Sequence, residues 1–403
     1  MNKRENCEES NMNIKMASRM QSFQESIFSE LAEIKHSKIS KGISMIDLSV
    51  GSPDLPPPAF ITDAMSEMAG NPSLYGYTLK GVNEFHEAVA KYYRRNYDVR
   101  LDSKKEVSLL MGSQDGLVHL PMVLCDPGDI VLVPDPGYTA YEAGVNLAGG
   151  QLYPMPLKVE NDFLPRFEDI PAEVCAKAKL MVLNYPGNPV PALASAAFFK
   201  EAINFAKEHN IVILHDFAYS ELYFEERPIS FLSVEGAIDV GIEMNSLSKS
   251  FNMAGCRVAY AAGNKEVISL LSNLKSNLDY GVFYPIQLAA AKALTDESDF
   301  LENLRHAYKT RRDLFVNGLN EIGWEVDMPK GSMFVWARLP EGYQSKQFAL
   351  DLIEKANVVV TPGNAFGEWG EGYVRMGIVQ TEDTLSEVIE RIKESGIIAK
   401  VSS

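Results

Sequence analysis

Short, mostly apolar runs punctuate the middle of the chain: Val107 to Met111, Ile130 to Val133, Leu180 to Leu183, Ile211 to Leu214 and Val240 to Met244. Each is too short for a helix, and their continuity predicts strands buried on both faces. The stretches between them place apolar residues at three- and four-residue spacing. One such helix opens at Gly112-Ser113-Gln114-Asp115-Gly116 and runs through Leu124. This alternation predicts an α/β fold with a mainly parallel sheet covered by helices on both sides. Ligands of such sheets bind beyond the carboxyl ends of the strands. Here those ends carry polar, aromatic or Gly/Pro-rich residues.

The flanks read differently. Apolar positions Phe23, Ile27, Phe28, Leu31 and Ile34 predict helix within Ser18 to Lys41. Met45 to Val50 alternates weakly and stops at the rigid turn Gly51-Ser52-Pro53-Asp54-Leu55-Pro56-Pro57-Pro58. The segment from Ser73 to Gly81 is an aromatic loop, and Val82 to Asn96 is helical. Beyond Tyr284-Pro285 a helical pattern runs from Ile286 to about Ile322, broken at Asp296-Glu297. Trp324 to Val326, Met333 to Ala337, a helix over Gln347 to Lys355, Val358 to Val360 and Val374 to Ile378 complete a smaller α+β unit. The expected organisation is a tail (1–15), a large domain (56–290), and a small domain built from 16–55 and 291–403.

Composition narrows the classes of function. The 403 residues are 46% hydrophobic and 23% charged, with a formal charge of −16. So acidic a surface disfavours nucleic acid and anionic membranes as partners. No apolar run approaches a membrane span, and the polar N-terminus lacks a signal-peptide core. Cys7, Cys125, Cys175 and Cys256 are scattered, as free thiols of a reducing compartment would be. The expected location is the cytoplasm. Six histidines without shared spacing give no metal signature, so no metal is expected.

Candidate chemistry gathers at the strand ends. In Asn245-Ser246-Leu247-Ser248-Lys249-Ser250-Phe251-Asn252-Met253-Ala254-Gly255-Cys256-Arg257, a lysine between small hydroxyl residues precedes a second cation. That set suits a Schiff base with an aldehyde cofactor, with serines and Arg257 free to hold a phosphate. The bland alternative is a solvated lysine at a strand end. Gly112-Ser113-Gln114 offers backbone N–H groups, a helix dipole and a hydroxyl to an anion. Tyr138 either stacks on a flat ring or covers the core. Asp216 either keeps a pyridine nitrogen protonated, with Tyr219 nearby for a ring oxygen, or caps the next helix. Arg375 sits inside an apolar strand-like run.

The ordered set GSPD, GSQDGL, PDPGY, NYPGNP, HDFAYSEL, SLSKSFNMAGCRV and GYVRMG resembles the aspartate aminotransferase family, the fold-type I enzymes that use pyridoxal 5′-phosphate. The likeness spans about Asp47 to Ile392, and is greatest to bacterial class I/II enzymes, including LL-diaminopimelate aminotransferase-like proteins. It implies a seven-stranded sheet and a ping-pong transfer of an amino group from an L-amino acid to a 2-oxo acid. It further implies that Lys249 forms the Schiff base and shuttles the proton, that Asp216 pairs with the pyridine nitrogen, and that Tyr138 stacks on the ring. Asn188 and Tyr219 would bond the ring oxygen. Ser113, Gln114, Ser246 and Arg257 would hold the phosphate, with Ser248 nearby. Arg375 would clamp the substrate α-carboxylate beside Gly51 and Asn188. Tyr77 (or Tyr75) would reach a second subunit's phosphate in a homodimer with shared sites.

One departure stands out. Many relatives read Asn-Pro-Thr-Gly where this chain has Asn188-Pro189-Val190-Pro191. Pro191 removes an N–H and fixes φ, so the turn after the site must differ. A β-lyase or decarboxylase on the same scaffold is the alternative reaction, and a non-catalytic binding protein is the alternative class.

Overall fold

The computed structural model describes residues 14–23 and 27–398. Most of the expected 1–15 tail, and Cys7 with it, lies outside them. The strands are β1 (Ile46–Asp47), β2 (Val107–Leu110), β3 (Ile130–Asp135), β4 (Gln151–Pro156), β5 (Ala178–Leu183), β6 (Val212–Asp216), β7 (Gly241–Ser246), β8 (Ala259–Gly263), β9 (Phe334–Arg338), β10 (Val358–Val359), β11 (Thr361–Pro362) and β12 (Tyr373–Gly377). Seven of them form one sheet in the order β2-β8-β7-β6-β5-β3-β4. All pairs from β7 to β4 are parallel, and β8 runs antiparallel between β7 and β2. This is the mainly parallel, seven-stranded sheet expected.

Continuous apolar runs arise because successive strand residues enter two different cores. Leu132, Met181 and Ile213 face a layer built on helices Ala59–Ala69, Asn83–Tyr97, Ala196–His209 and Tyr284–Thr295. Their neighbours Val131, Leu180 and Leu214 face helices Ser113–Leu124, Ala140–Ala148 and Lys265–Lys275. The central strands are dry on both faces, so β3, β5 and most of β6 read as continuous apolar runs, while β7 alternates with polar residues that are themselves buried, Glu243 and Asn245.

Two strands of the main sheet, and the two-residue β11 of the small one, escaped the sequence reading. The run Gln151-Leu152-Tyr153-Pro154-Met155-Pro156 carries two prolines, and it survives as β4 because it is an edge strand. The run Ala259-Tyr260-Ala261-Ala262-Gly263 has poor strand propensity, and forms β8 because both of its neighbours hydrogen-bond to it. Conversely, Trp324 to Val326 forms no strand. Trp324 is a core residue whose indole Nε1–H donates to Arg338 O at 2.7 Å.

A second body has its own core. Strand β12 lies between β11 and β9 in an antiparallel sheet, and β1 pairs parallel with β10. The β1 pairing, Ile46 opposite Val358, ties the N-terminal segment to the C-terminal one. Helices Phe300–Glu321 and Glu382–Ser395 bury Phe315, Leu319, Leu385 and Val388 against this sheet. Helix Ile27–Ser40 packs Leu31 on Ile353 and Val359. The boundary expected at residue 290 falls inside helix Tyr284–Thr295, whose buried residues belong to the core of the large sheet. Beyond the helix break at 296–299, Phe300 packs against both cores, and Leu304, Phe315 and Leu319 of helix Phe300–Glu321 lie in the second. No helix among the described residues is long and apolar enough to cross a membrane.

A buried charge cluster fixes the end of β6. Glu243 on β7 accepts from Tyr93 Oη (2.7 Å), Ser230 Oγ (2.9 Å) and Phe231 N–H (2.8 Å), and pairs with His215 Nδ1 at 2.8 Å. His215 Nε2 meets the carbonyl oxygen of Tyr185 at 3.1 Å. Both side chains of the pair are fully buried. Removing the acceptor leaves four donors in a dry interior. Glu243→Ala should therefore cost about 3–5 kcal/mol of stability, read as a lowered urea midpoint. A midpoint equal to wild type would contradict the account.

Candidate active site

The carboxyl ends of β3, β5, β6 and β7 face one cleft. Asp216, the last residue of β6, is buried there. Its Oδ2 accepts from Tyr141 Oη at 2.9 Å, and its Oδ1 from the Ala218 N–H at 3.3 Å. Burial pushes its carboxyl above the usual range, against the pull of the Tyr141 hydrogen bond. The carboxylate therefore holds the turn after β6 and also lines the cleft; no helix follows directly, so Asp216 caps a turn and not a helix. Asn184, just after β5, donates to Asp216 O at 2.7 Å, while its Oδ1 accepts from the Asn188 N–H at 2.8 Å. One amide thus aligns two strand ends. Tyr138 stands edge-on to Tyr141, with ring centroids 5.8 Å apart.

The turn after β7 is self-capped. Ser246 Oγ accepts from the Ser248 N–H at 3.1 Å, and a short helix, Leu247–Ser250, presents Lys249. The Lys249 ammonium donates to the carbonyl oxygen of Gly51. Burial, and then the charges of Arg375 and Arg257, lower the Lys249 pKa to about 8. A side chain at Gly51 would meet Phe334 Cζ at 2.8 Å, so close approach requires glycine there. Arg257 adopts the left-handed region (φ 53°), and its Nη1 donates to Ala254 O at 3.1 Å. Its guanidinium lies over Gly112, where any Cβ would collide with it, and Gly112 itself has φ 77°. Gly112 leads directly into Ser113 at the start of helix Ser113–Leu124. A guanidinium beside a helix N-terminus makes an anion cradle.

Arg375, on β12, is 5% exposed. Its Nη1 donates to Asn188 Oδ1 at 2.7 Å and its Nη2 to Ser49 O at 2.5 Å, with Thr361 Oγ1 at 3.4 Å from Nη2. Phe334 and Phe366 rings lie 4.2 and 4.8 Å from its guanidinium carbon. Its buried Nε–H has no hydrogen-bond partner, and no carboxylate among the described residues pairs with it. Desolvation brings its pKa down to about 10.

These groups surround a cavity of about 440 Å³ lined by Gly51, Ser113, Tyr138, Asn188, Asp216, Tyr219, Lys249 and Arg375 among others. Tyr219 is buried edge-on to Phe334, and burial holds its phenol protonated. Ser246, Ser248 and Arg257 stand behind or beside the lining rather than in it. Gln114 is exposed. Tyr77 is 84% exposed, away from this chain's own cavity, and its ring contacts Tyr280 with centroids 5.5 Å apart.

Residues 43–392 match the family described as aminotransferase class I and II. The chain belongs to the class I and II aminotransferases. It is 44% identical over 383 residues to an LL-diaminopimelate aminotransferase of Halothermothrix orenii, covering 94% of this chain and 98% of that one. The substrate-bound structure of BacF from Bacillus subtilis superposes with a TM-score of 0.91 at 42% identity, over 94% of this chain and 97% of that one. An aminotransferase from Staphylococcus aureus gives 0.88 at 36% identity, over 95% and 100%. The protein is thus a transaminase that depends on pyridoxal 5′-phosphate.

The residues of this aminotransferase fit that cofactor. The Gly112 and Arg257 cradle suits a phosphate, the buried Asp216 a ring nitrogen, and a partly neutral lysine an aldehyde. Sequence reading missed Asn184 and Tyr141. Asn184 opens the quoted NYPGNP motif, and Tyr141 lies three residues beyond Tyr138 at helical spacing, but neither pattern names a hydrogen-bond partner. It also missed Asp54, whose two carboxylate oxygens receive Arg311 Nη1 and Nη2 at 2.8 and 2.9 Å and so hold the Gly51 loop.

The lysine environment predicts a pH dependence. The neutral amine is the reactive form, so cofactor uptake by the apo-protein should quicken as pH rises through about 8 and level off above it. Arg375→Met deletes one of the charges that lower the pKa, which should move that midpoint upward. Stopped-flow absorbance against pH tests both, and a midpoint unmoved or lowered in the variant would contradict the electrostatic account.

Proposed function

We propose that this aminotransferase binds its cofactor and an L-α-amino acid in the cavity between the large sheet and β12, with the α-carboxylate on Arg375. The observation that carries the reading is the buried, carboxylate-free guanidinium with an unpartnered Nε–H beside Lys249's cavity. Such a fork suits a planar carboxylate. Asn188 and the Gly51 loop orient that end of the substrate. When bound, pyridoxal 5′-phosphate supplies an electron sink that makes the substrate α-proton acidic. Lys249 Nζ would take that proton from the substrate α-carbon and deliver it to the carbon that was the cofactor's aldehyde. Asp216 stays ionised against a ring N–H, held by Tyr141 and the Ala218 N–H. Tyr219 and Asn188 donate to the ring oxygen, Tyr138 covers the ring, and Ser113, Gln114, Ser246 and Arg257 hold the phosphate with Ser248 alongside.

Assembly belongs to the same reading. Tyr75 and Phe283 pack edge-to-face at 5.0 Å, and Tyr77 lies on Tyr280, all four rings being at least half exposed except Phe283 at 40%. This aromatic surface supports a homodimer in which Tyr77 reaches the partner's phosphate. Residues 56–295 serve as the cofactor-binding domain, and 16–55 with the chain beyond Asp299 as the small domain. The free thiols of Cys125, Cys175 and Cys256 support a cytoplasmic enzyme. The relatives' names make LL-diaminopimelate one donor to test.

With an amino acid alone, a transaminase converts one equivalent of donor per cofactor and stops until a 2-oxo acid is added. Continuous release of ammonia or carbon dioxide would instead reveal the lyase or decarboxylase. Borohydride should fix the cofactor on Lys249, and Lys249→Ala should lose both the fixed label and turnover. Label on another lysine would refute the assignment.

Arg375→Lys should depress kcat/KM for every amino-acid donor by about 2–5 kcal/mol in barrier terms, with cofactor retained. The deficit should shrink for a simple amine. Equal losses for amine and amino acid would place the carboxylate site elsewhere.

A further inference from the structure

We infer that the preferred amino donors of this enzyme carry an uncharged side chain, aromatic or aliphatic, rather than a second carboxylate. The inference rests on the reading that Arg375 holds the α-carboxylate. Among the residues lining the cavity the charged ones are Lys249, Asp216 and Arg375. All three are committed, to proton transfer, to the cofactor nitrogen and to the α-carboxylate. The side chain of a bound donor is left with Val50, Phe334, Phe366 and Ala218, together with the neutral hydroxyls of Ser52 and Thr139.

The aromatic part of this wall is backed by dry packing. Phe366 joins Leu157, Val190 and Trp336 in one buried cluster. Val190, which stands where many relatives have threonine, contributes a methyl group to that cluster instead of a hydroxyl. The Phe366 segment is pinned in place: Gly137 N–H donates to Phe366 O at 2.8 Å, and Asp135 accepts from the Glu368 and Trp369 N–H groups at 3.2 and 3.1 Å. Phe334 is likewise wedged between Tyr219 and the Arg375 guanidinium. The rings are therefore fixed walls rather than side chains free to swing aside. A carboxylate placed against them would lose its hydration without gaining a cation. An aromatic or aliphatic side chain loses nothing there and gains contact area.

The surface proposed to meet a second copy has the same character. It presents Tyr75, Tyr77, Leu79, Leu278, Tyr280 and Phe283 as exposed groups. Within residues 71–80 and 276–284 the single cation is Lys80. A neighbouring subunit would therefore bring mainly rings to the cavity mouth.

The test uses single-turnover half-reactions of the purified holoenzyme with phenylalanine, tyrosine, leucine and methionine against aspartate, glutamate and LL-diaminopimelate. The best neutral donor should exceed every donor with a second carboxylate by about ten-fold or more in second-order rate constant. Phe366 also covers the Arg375 guanidinium, so Phe366→Ala should slow every donor, but it should slow phenylalanine more than alanine because only the larger side chain loses the wall. Equal rates across the panel, or an acidic donor in front, would overturn the inference. An acidic preference that vanishes in Lys80→Ala would overturn it as well, by locating the missing cation on that loop. If no amino acid reacts at all, the function proposed above fails, a result distinct from any ordering of donors.

Discussion

An arginine buried without a carboxylate must be held by neutral oxygen atoms and by aromatic faces, or it will neither fold nor stay charged. Arg375 meets this demand by drawing on three distant parts of the chain. Asn188 comes from the turn after β5, Ser49 from the N-terminal segment, and Thr361 from the neighbouring strand β11. Two rings close over the guanidinium. The turn after β5 of the large sheet, the N-terminal segment at Ser49 and the small sheet are therefore tied together by a single side chain. The same uncompensated charge reaches Lys249 and helps to keep that amine partly neutral. On the proposed reading, substrate recognition and base strength would share a cause.

The opposite wall is organised by carboxylates. Asp216 is set by Tyr141 and the Ala218 N–H, and its strand end by Asn184 and by the His215 and Glu243 pair one residue earlier. Burial raises the cost of ionising Asp216, and each donor aimed at it offsets part of that cost. A cofactor nitrogen bearing a proton would supply the remaining partner. The polar cluster beneath the site thus fixes geometry, while the cleft-facing edge is left for a ligand.

Much of this was legible in the order of residues. The runs Val107 to Met111, Ile130 to Val133, Leu180 to Leu183, Ile211 to Leu214 and Val240 to Met244 each became a strand of the main sheet, within two residues at either end. The helix break at Asp296-Glu297 appeared between helices Tyr284–Thr295 and Phe300–Glu321. The strand-end motifs carried Lys249, Asp216, Asn188 and Tyr138 to one cavity. Strands β4 and β8 were hidden, since prolines and small residues are tolerated only by grace of their neighbours in the sheet.

Periodicity, glycine placement and the spacing of motifs are properties of the backbone within a few residues, so the sequence alone determined five strands of the main sheet, the Gly112 turn and the strand-end side chains that share the cavity. Which partner each side chain meets depends on register and on contacts across great distances along the chain. Asn188 and Arg375 are separated by 187 positions, and Arg311 and Asp54 by 257. Tertiary structure decided those pairs, together with the Phe334 and Phe366 walls and the exposure of Tyr77. Local patterns specify where a strand ends and what it carries there. Only the packing of two bodies specifies what stands opposite.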